Sequence, residues 1–422
     1  MRRIESYYQG SIAFAFLRRF GLLPVFATRY HPNMILLNSL HWLVIAAAFL
    51  SPPIHATEPQ CLGRMLEPYL REFGLPALAA AVFKEGVVIS SGAVGTQRAG
   101  QEIPVTIEDR FHLGSDSKAF TSLLAGQFVE AGRLRWDSAL AEVFPELKDK
   151  MDAEFAQITL EQLLSHSSGL ADSPALVDLI NRSYLQEGNM DEVRYWMVKE
   201  IAPKPLDHAR GSRFDYSNLG YIIAGAILER LGGKTWEELV TERIVEPLSL
   251  NSAGFGPQAT LGKTDAPLGH LMVEGKPKAM LAGPNGDNPL ILGPAGTMHM
   301  SVLDFAKWVA WHAGEGKRLP ALVSTEIVKK LHTPVIGTGV LEDGPPGTPQ
   351  TGKYALGWGE VTVDWAPEPV ITHTGSNTMN LALAMFWPER DFGFVIMTNI
   401  AGTAADEALR KLAAELYKAF FQ

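Results

Sequence analysis

The sequence predicts an α/β fold in which one antiparallel sheet takes strands from both chain ends. Helices flank this sheet, and an all-helical region is inserted between its halves. Three observations predict it. Short β-type runs occur at Leu78-Phe83 and Val87-Ser91, and again from Trp358 onward. Between about 116 and 250, alanine, leucine and charged residues recur at helical spacing. The chain has 422 residues, 46% hydrophobic and 20% charged, a globular composition with ample length for a core.

The first helix is expected from about Gln60 to Phe73, where Leu62, Met65, Leu66, Tyr69 and Leu70 share a face and Gly74-Leu75-Pro76 stops the run. Lys84-Glu85-Gly86 then reads as the turn of a hairpin. Further helices are expected at Ala119-Ala131, Leu160-Leu164, Leu219-Leu231 and Trp236-Ile244. Proline and glycine dominate from Gly254 to Gly296 and from Gly337 to Gly352, which read as long loops that shape a pocket. Strands return at Trp358-Val363, Val370-Thr374, Leu381-Phe386 and Gly393-Asn399, before a closing amphipathic helix at about Ala404-Phe420. The α/β part is therefore assigned to 57–145 and 290–422, and the mostly helical part to 146–289.

Residues 1–56 differ from the rest. Arg2, Arg3, Arg18, Arg19 and Arg29 face one acid, Glu5, and precede an apolar stretch from Ile35 to Leu50. Ser51-Pro52-Pro53 ends that stretch, and Ile54-His55-Ala56 offers a small residue for cleavage. This order predicts a secretory signal and an exported, periplasmic protein, with an uncleaved membrane anchor as the alternative and Met34 as an alternative start. The single cysteine, Cys61, forms no internal disulfide. The net charge of -9, without a basic tract in the body, excludes a nucleic-acid footprint. Gly233-Lys234-Thr235 and Gly262-Lys263-Thr264 lack the earlier glycine of a phosphate loop. No two-histidine zinc helix is present.

Three motifs carry chemistry. Ser115 is the only serine with a lysine three residues on, Lys118, at the start of a predicted helix. At that spacing both side chains share the first turn, and a neutral lysine amine can take the serine proton. Tyr216-Ser217-Asn218 lies on a loop entering a helix. Tyr216 can act with Lys118 as a base, and the Asn218 amide can hold a substrate carbonyl and the lysine. His373-Thr374-Gly375-Ser376 ends a strand, where glycine lets a ligand lie against the backbone. The Ser115 and Ser376 amides can form an oxyanion hole, and His373 can donate to a substrate carboxylate or relay a proton. Singly, each motif also fits a blander arrangement: a serine cap, a buried tyrosine with a capping asparagine, a histidine at a strand end.

Together and in this order, the motifs resemble the serine β-lactamase and penicillin-binding protein superfamily, in its class C branch. Flanking segments resemble it too: Phe111-His112-Leu113-Gly114, Ile158 to Leu170, Pro294-Ala295-Gly296 and Tyr354 to Trp358. The resemblance spans about 60 to 420. It implies a β-lactamase/transpeptidase-like fold over 57–422 with the site between its two parts. Ser115 is then the nucleophile, Lys118 and Tyr216 the base system, and Asn218, His373, Thr374, Gly375 and Ser376 the substrate contacts. A histidine stands at 373 where class C β-lactamases have lysine, as in the DD-peptidase and esterase-like members. The implied activity, which needs no metal or cofactor, is that of a DD-carboxypeptidase, D-amino-acid amidase or esterase on small-molecule or peptide substrates, cell-wall-derived ones among them. The alternatives are a true class C β-lactamase and a non-catalytic penicillin-binding receptor or scaffold.

Overall fold

The first hairpin forms because two apolar runs are joined by residues suited to a tight turn. Strands Ala77–Lys84 and Val87–Gly95 pair antiparallel, and Glu85 and Gly86 take positive φ values of 52° and 78°. That backbone matches the twist of the strands it joins. The C-terminal strand Phe392–Thr398 then pairs with Ala77–Lys84, setting Phe394 opposite Val82. The two ends of the chain thus share one sheet, as the sequence predicts.

The molecule is a computed structural model that describes residues 60–421, except 173, 282, 284, 285 and 341–350. The signal or anchor expected within 1–56 lies outside the described residues. Among these residues the main sheet has nine strands, in the order Gln60–Cys61, Val87–Gly95, Ala77–Lys84, Phe392–Thr398, Leu381–Trp387, Val370–Ser376, Gly359–Val361, Thr351–Tyr354, Ile336–Val340. Neighbours are antiparallel, except that Gln60–Cys61 runs parallel to Val87–Gly95.

Alternation along the central strands divides the core. Ala79, Ala81 and Phe83 face a cluster that contains helix Val302–Ala313, while Leu78, Ala80 and Val82 face helices Gly63–Glu72 and Thr403–Phe420. The first cluster continues into helices Ser117–Glu130 and Asn218–Gly232, each buried on most of its faces. Gly225 lets these helices approach the turn Gly293–Gly296: a Cβ there would lie 2.3 Å from Pro294. Arg194, on helix Met190–Ile201, is fully buried and bonds Glu229, Glu237 and the Ile291 and Leu290 carbonyls. A buried guanidinium needs this many acceptors, because an unpaired charge there would be costly. Among the described residues no helix is long and apolar enough to cross a membrane.

The two glycine- and proline-rich regions are more ordered than the sequence predicts. Gly254–Gly296 contains strand Gly254–Phe255, paired to Met298–Ser301, and a hairpin of His270–Val273 with Lys276–Ala279. Gly337–Gly352 is partly strand, since Ile336–Val340 pairs with Thr351–Tyr354. These are short strands without a continuous apolar face, so period-2 patterning does not reveal them. Helix Trp236–Val240 also ends sooner than expected and passes into a π-turn, Thr241–Val245.

His312 and His332 lie inside the core against Trp358 and Phe386, with His312 Nδ1 and His332 Nε2 3.0 Å apart. Burial lowers both imidazoles, His332 from 6.5 to about 3. Between these values the unfolded chain binds the proton and the folded chain does not, so stability is lost as pH falls below 6.5. The loss expected by pH 5 is about 2 kcal/mol for His332. Urea unfolding of His332→Gln, compared with wild type across this range, should show a shallower fall. Equal slopes would contradict the assignment.

Candidate active site

Ser115 lies in a single 3₁₀ turn, Gly114–Asp116, that runs into helix Ser117–Glu130. Gly114, Asp116, Ser117 and Lys118 are buried, whereas Ser115 is half-buried and reaches the opening. The turn is fixed from several sides. Ser117 Oγ donates to the Gly114 carbonyl (2.7 Å) and accepts from the Met298 amide (3.0 Å). His112 Nδ1 accepts from the Gly114 amide (2.9 Å), so its proton is on Nε2, 2.7 Å from Asp287 Oδ1. Asn377 donates to the same carboxylate oxygen (3.0 Å).

Lys118 Nζ lies 3.2 Å from Ser115 Oγ, 2.8 Å from Asn218 Oδ1 and 2.7 Å from the Ala295 carbonyl. Burial lowers its pKa to about 7, against a smaller opposing effect of the Asp172 carboxylate. A neutral amine has two N–H groups and one lone pair. Asn218 Oδ1 and the Ala295 carbonyl can only accept, so they take the two N–H groups. The lone pair is left for the hydroxyl of Ser115. The orientation of Asn218 is set by Asp172, whose carboxylate accepts from Asn218 Nδ2 (2.6 Å), the Asn218 amide (2.9 Å) and the Leu219 amide (3.2 Å). Asp172 therefore also caps helix Asn218–Gly232, where an anion is favourable.

Tyr216 sits beside this pair, with Lys118 Nζ 4.7 Å from its ring centre. The residue is 36% exposed, and its hydroxyl neighbours Ser115. Desolvation raises the phenol well above its ordinary value, outweighing the opposing effect of the neighbouring Ser115 hydroxyl. The sequence allows Tyr216 to share the role of base as a phenolate. The structure places the lysine over the ring face and keeps the phenol protonated, so of the two it is Lys118 that has a free lone pair near neutral pH. His166 stacks on Tyr216 at 4.2 Å, and its Nδ1 accepts from the Ser217 amide (3.0 Å).

The third motif arrives on strand Val370–Ser376. Gly375 touches the turn of Ser115: a Cβ there would lie 1.9 Å from the Leu113 carbonyl and 2.8 Å from the Ser115 amide. Gly114, at φ 52°, is as close to Ser376, with 2.2 Å between its would-be Cβ and the Ser376 amide. Thr374 is exposed beside the site, and Ser376 Oγ donates to the Asn380 carbonyl (2.7 Å). His373, read from the sequence as a donor to a substrate carboxylate or a proton relay, lies 6% exposed. Alternation turns its ring to the buried face, with Nε2 3.0 Å from Tyr354 Oη and Nδ1 3.3 Å from Asp116 Oδ1. Burial and the nearby lysine lower it to about 3, so it is uncharged near neutral pH.

Asp172, Ala295, His112 and Asp287 are site residues that the motifs do not single out. Pro294-Ala295-Gly296 and Phe111-His112-Leu113-Gly114 mark their segments, but roles made by contacts across 46 to 177 residues have no local signal.

Gly375→Ala should cost on the order of 3 kcal/mol or more, since a backbone carbonyl must move. Gly132→Ala, at φ 67° with open space around it, should cost only about 1 kcal/mol. Chemical denaturation of both variants checks the contrast, and equal losses would show that the strand does not press on the turn.

Comparison with known proteins agrees with this architecture. A family model described as Beta-lactamase matches residues 62–418. Penicillin-binding protein 4 of Amycolatopsis lactamdurans is 27% identical over 358 residues, covering 82% of this chain and 87% of that protein. Protein flp of Staphylococcus aureus (strain MW2) is 22% identical over 341 residues, covering 81% of this chain but 63% of its own length. Among solved structures, the octameric penicillin-binding protein homologue from Pyrococcus abyssi superposes with a TM-score of 0.67 at 24% identity, covering 84% of this chain and 76% of that one. D-amino acid amidase from Ochrobactrum anthropi superposes at 0.65 with 17% identity, covering 85% and 98%, a likeness of fold. The chain belongs to the Beta-lactamase family, within the superfamily of serine β-lactamases and penicillin-binding proteins.

Proposed function

We propose that the protein is a serine hydrolase that works through an acyl-enzyme on amide or ester bonds. The observation that carries this reading is the lone pair of Lys118, directed at Ser115 Oγ because its two N–H groups have fixed acceptors. Ser115 attacks the substrate carbonyl while its proton passes to Lys118. The Ser115 and Ser376 amides receive the oxyanion. The proton then goes to the leaving nitrogen or oxygen, by way of the Tyr216 phenol, and the C–N or C–O bond breaks. Water repeats the sequence on the acyl-enzyme, releasing the acid and restoring Ser115.

The surroundings of His373 bear on the substrate. Its ring is buried and neutral, so it offers no charge to a carboxylate beside the scissile bond. This favours an amidase or esterase acting on small acyl or D-amino-acid derivatives over a β-lactamase, whose substrates carry that carboxylate. A non-catalytic receptor has no use for a base at the serine.

Intact mass after incubation with a fluorophosphonate and, separately, with benzylpenicillin tests the reading. A single fluorophosphonate adduct is expected, absent in Ser115→Ala, with penicillin acylation slow. Because Lys118 must be neutral to act, the labelling rate should rise with pH through about 7. Absence of any adduct on folded protein would reject the reading, and rapid penicillin turnover would move it to the β-lactamase side.

A further inference from the structure

Asp116 lies between Ser115 and Lys118 in sequence, and the reaction outlined above does not use it. Its side chain is 1% exposed, and neither carboxylate oxygen has a well-formed hydrogen bond. The near polar neighbour is His373 Nδ1, 3.3 Å from Oδ1. An isolated carboxylate in this position would be strongly disfavoured.

A buried carboxyl with this neighbour is satisfied when it is protonated and its O–H points at a lone pair on Nδ1. The proton of the neutral ring is then on Nε2, 3.0 Å from Tyr354 Oη, which can accept it.

We propose that Asp116 is a buried, protonated carboxylic acid that donates to Nδ1 of His373 and holds the imidazole as the Nε2–H tautomer. The result is an uncharged chain, Asp116–His373–Tyr354, beside the turn of Ser115. Asp116 is thus a positioning residue. It acts through His373 on the strand that carries Gly375 and Ser376. Being neutral, it also leaves Lys118 free of an anion that would favour its charged form. Burial acts in the same sense on both partners, raising Asp116 and lowering His373. The titratable groups that face the pair are Lys118, Tyr216, His166 and Tyr354, and the Thr374 backbone lies beside the ring.

The imidazole can be read directly, so the test does not depend on the hydrolase reading, although the role toward Lys118 rests on it. Two-bond nitrogen–proton correlation spectra of wild type, with His373 assigned through His373→Gln, should show a neutral ring protonated at Nε2 around neutral pH. An imidazolium pattern, or a proton on Nδ1, would overturn the proposal. Asp116→Asn retains a neutral donor, so its fluorophosphonate labelling should stay within about threefold of wild type with the same pH midpoint. A midpoint displaced by about one pH unit would show that Asp116 carried charge, and would also overturn it. Asp116→Val cannot donate; it should lose the fixed tautomer and label about tenfold more slowly. If wild type takes no label at all, the hydrolase reading fails while the spectrum still decides this one.

Discussion

The site depends on one desolvated amine. Lys118 is buried with two obligate acceptors, Asn218 Oδ1 and the Ala295 carbonyl, and with the Ser115 hydroxyl in reach. Burial makes the ammonium form costly, and the two acceptors determine where the remaining lone pair points. Without the acceptors the amine would be free to rotate. Without the burial it would stay protonated and could not act as a base. The surrounding architecture can be understood as the means of meeting both conditions.

The two-ended sheet supplies the roof of the site. Val370–Ser376 reaches the turn of Ser115 because Phe392–Thr398 pairs with a strand from the start of the chain, and Leu381–Trp387 bridges the two. Gly375 and Gly114 then allow backbone to meet backbone without side chains between. The helical region supplies the wall. Asp172 caps helix Asn218–Gly232 and in the same contacts aims Asn218 at the lysine. The helix cap and the orientation of the Asn218 side chain are thereby carried by one carboxylate.

The sequence makes the local part of this legible. Ser115 and Lys118 are three residues apart on a helical turn, and Tyr216 and Asn218 stand at a helix start, so spacing alone brings each pair together. The hairpin at Glu85-Gly86 and the central strands are equally plain, since strong alternation and turn residues agree there. What spacing cannot show is contact between distant segments. Asp172 on Asn218 and Ala295 on Lys118 are of that kind, as are the short edge strands within the glycine-rich regions. His373 is a different case. Its alternation with exposed Thr374 was readable in principle, but the residue type suggested a substrate contact and the strand turned it inward. The occupant of the middle of the serine–lysine motif, Asp116, gains meaning only once its buried neighbours are known.

Direct titration of the Lys118 amine by nitrogen-detected NMR, assigned through Lys118→Arg, tests the central claim most directly. The account predicts loss of the ammonium proton with a midpoint of about 7. A lysine that remains charged up to the ordinary value near 10.5 would contradict it, because Ser115 would then have no base beside it at neutral pH.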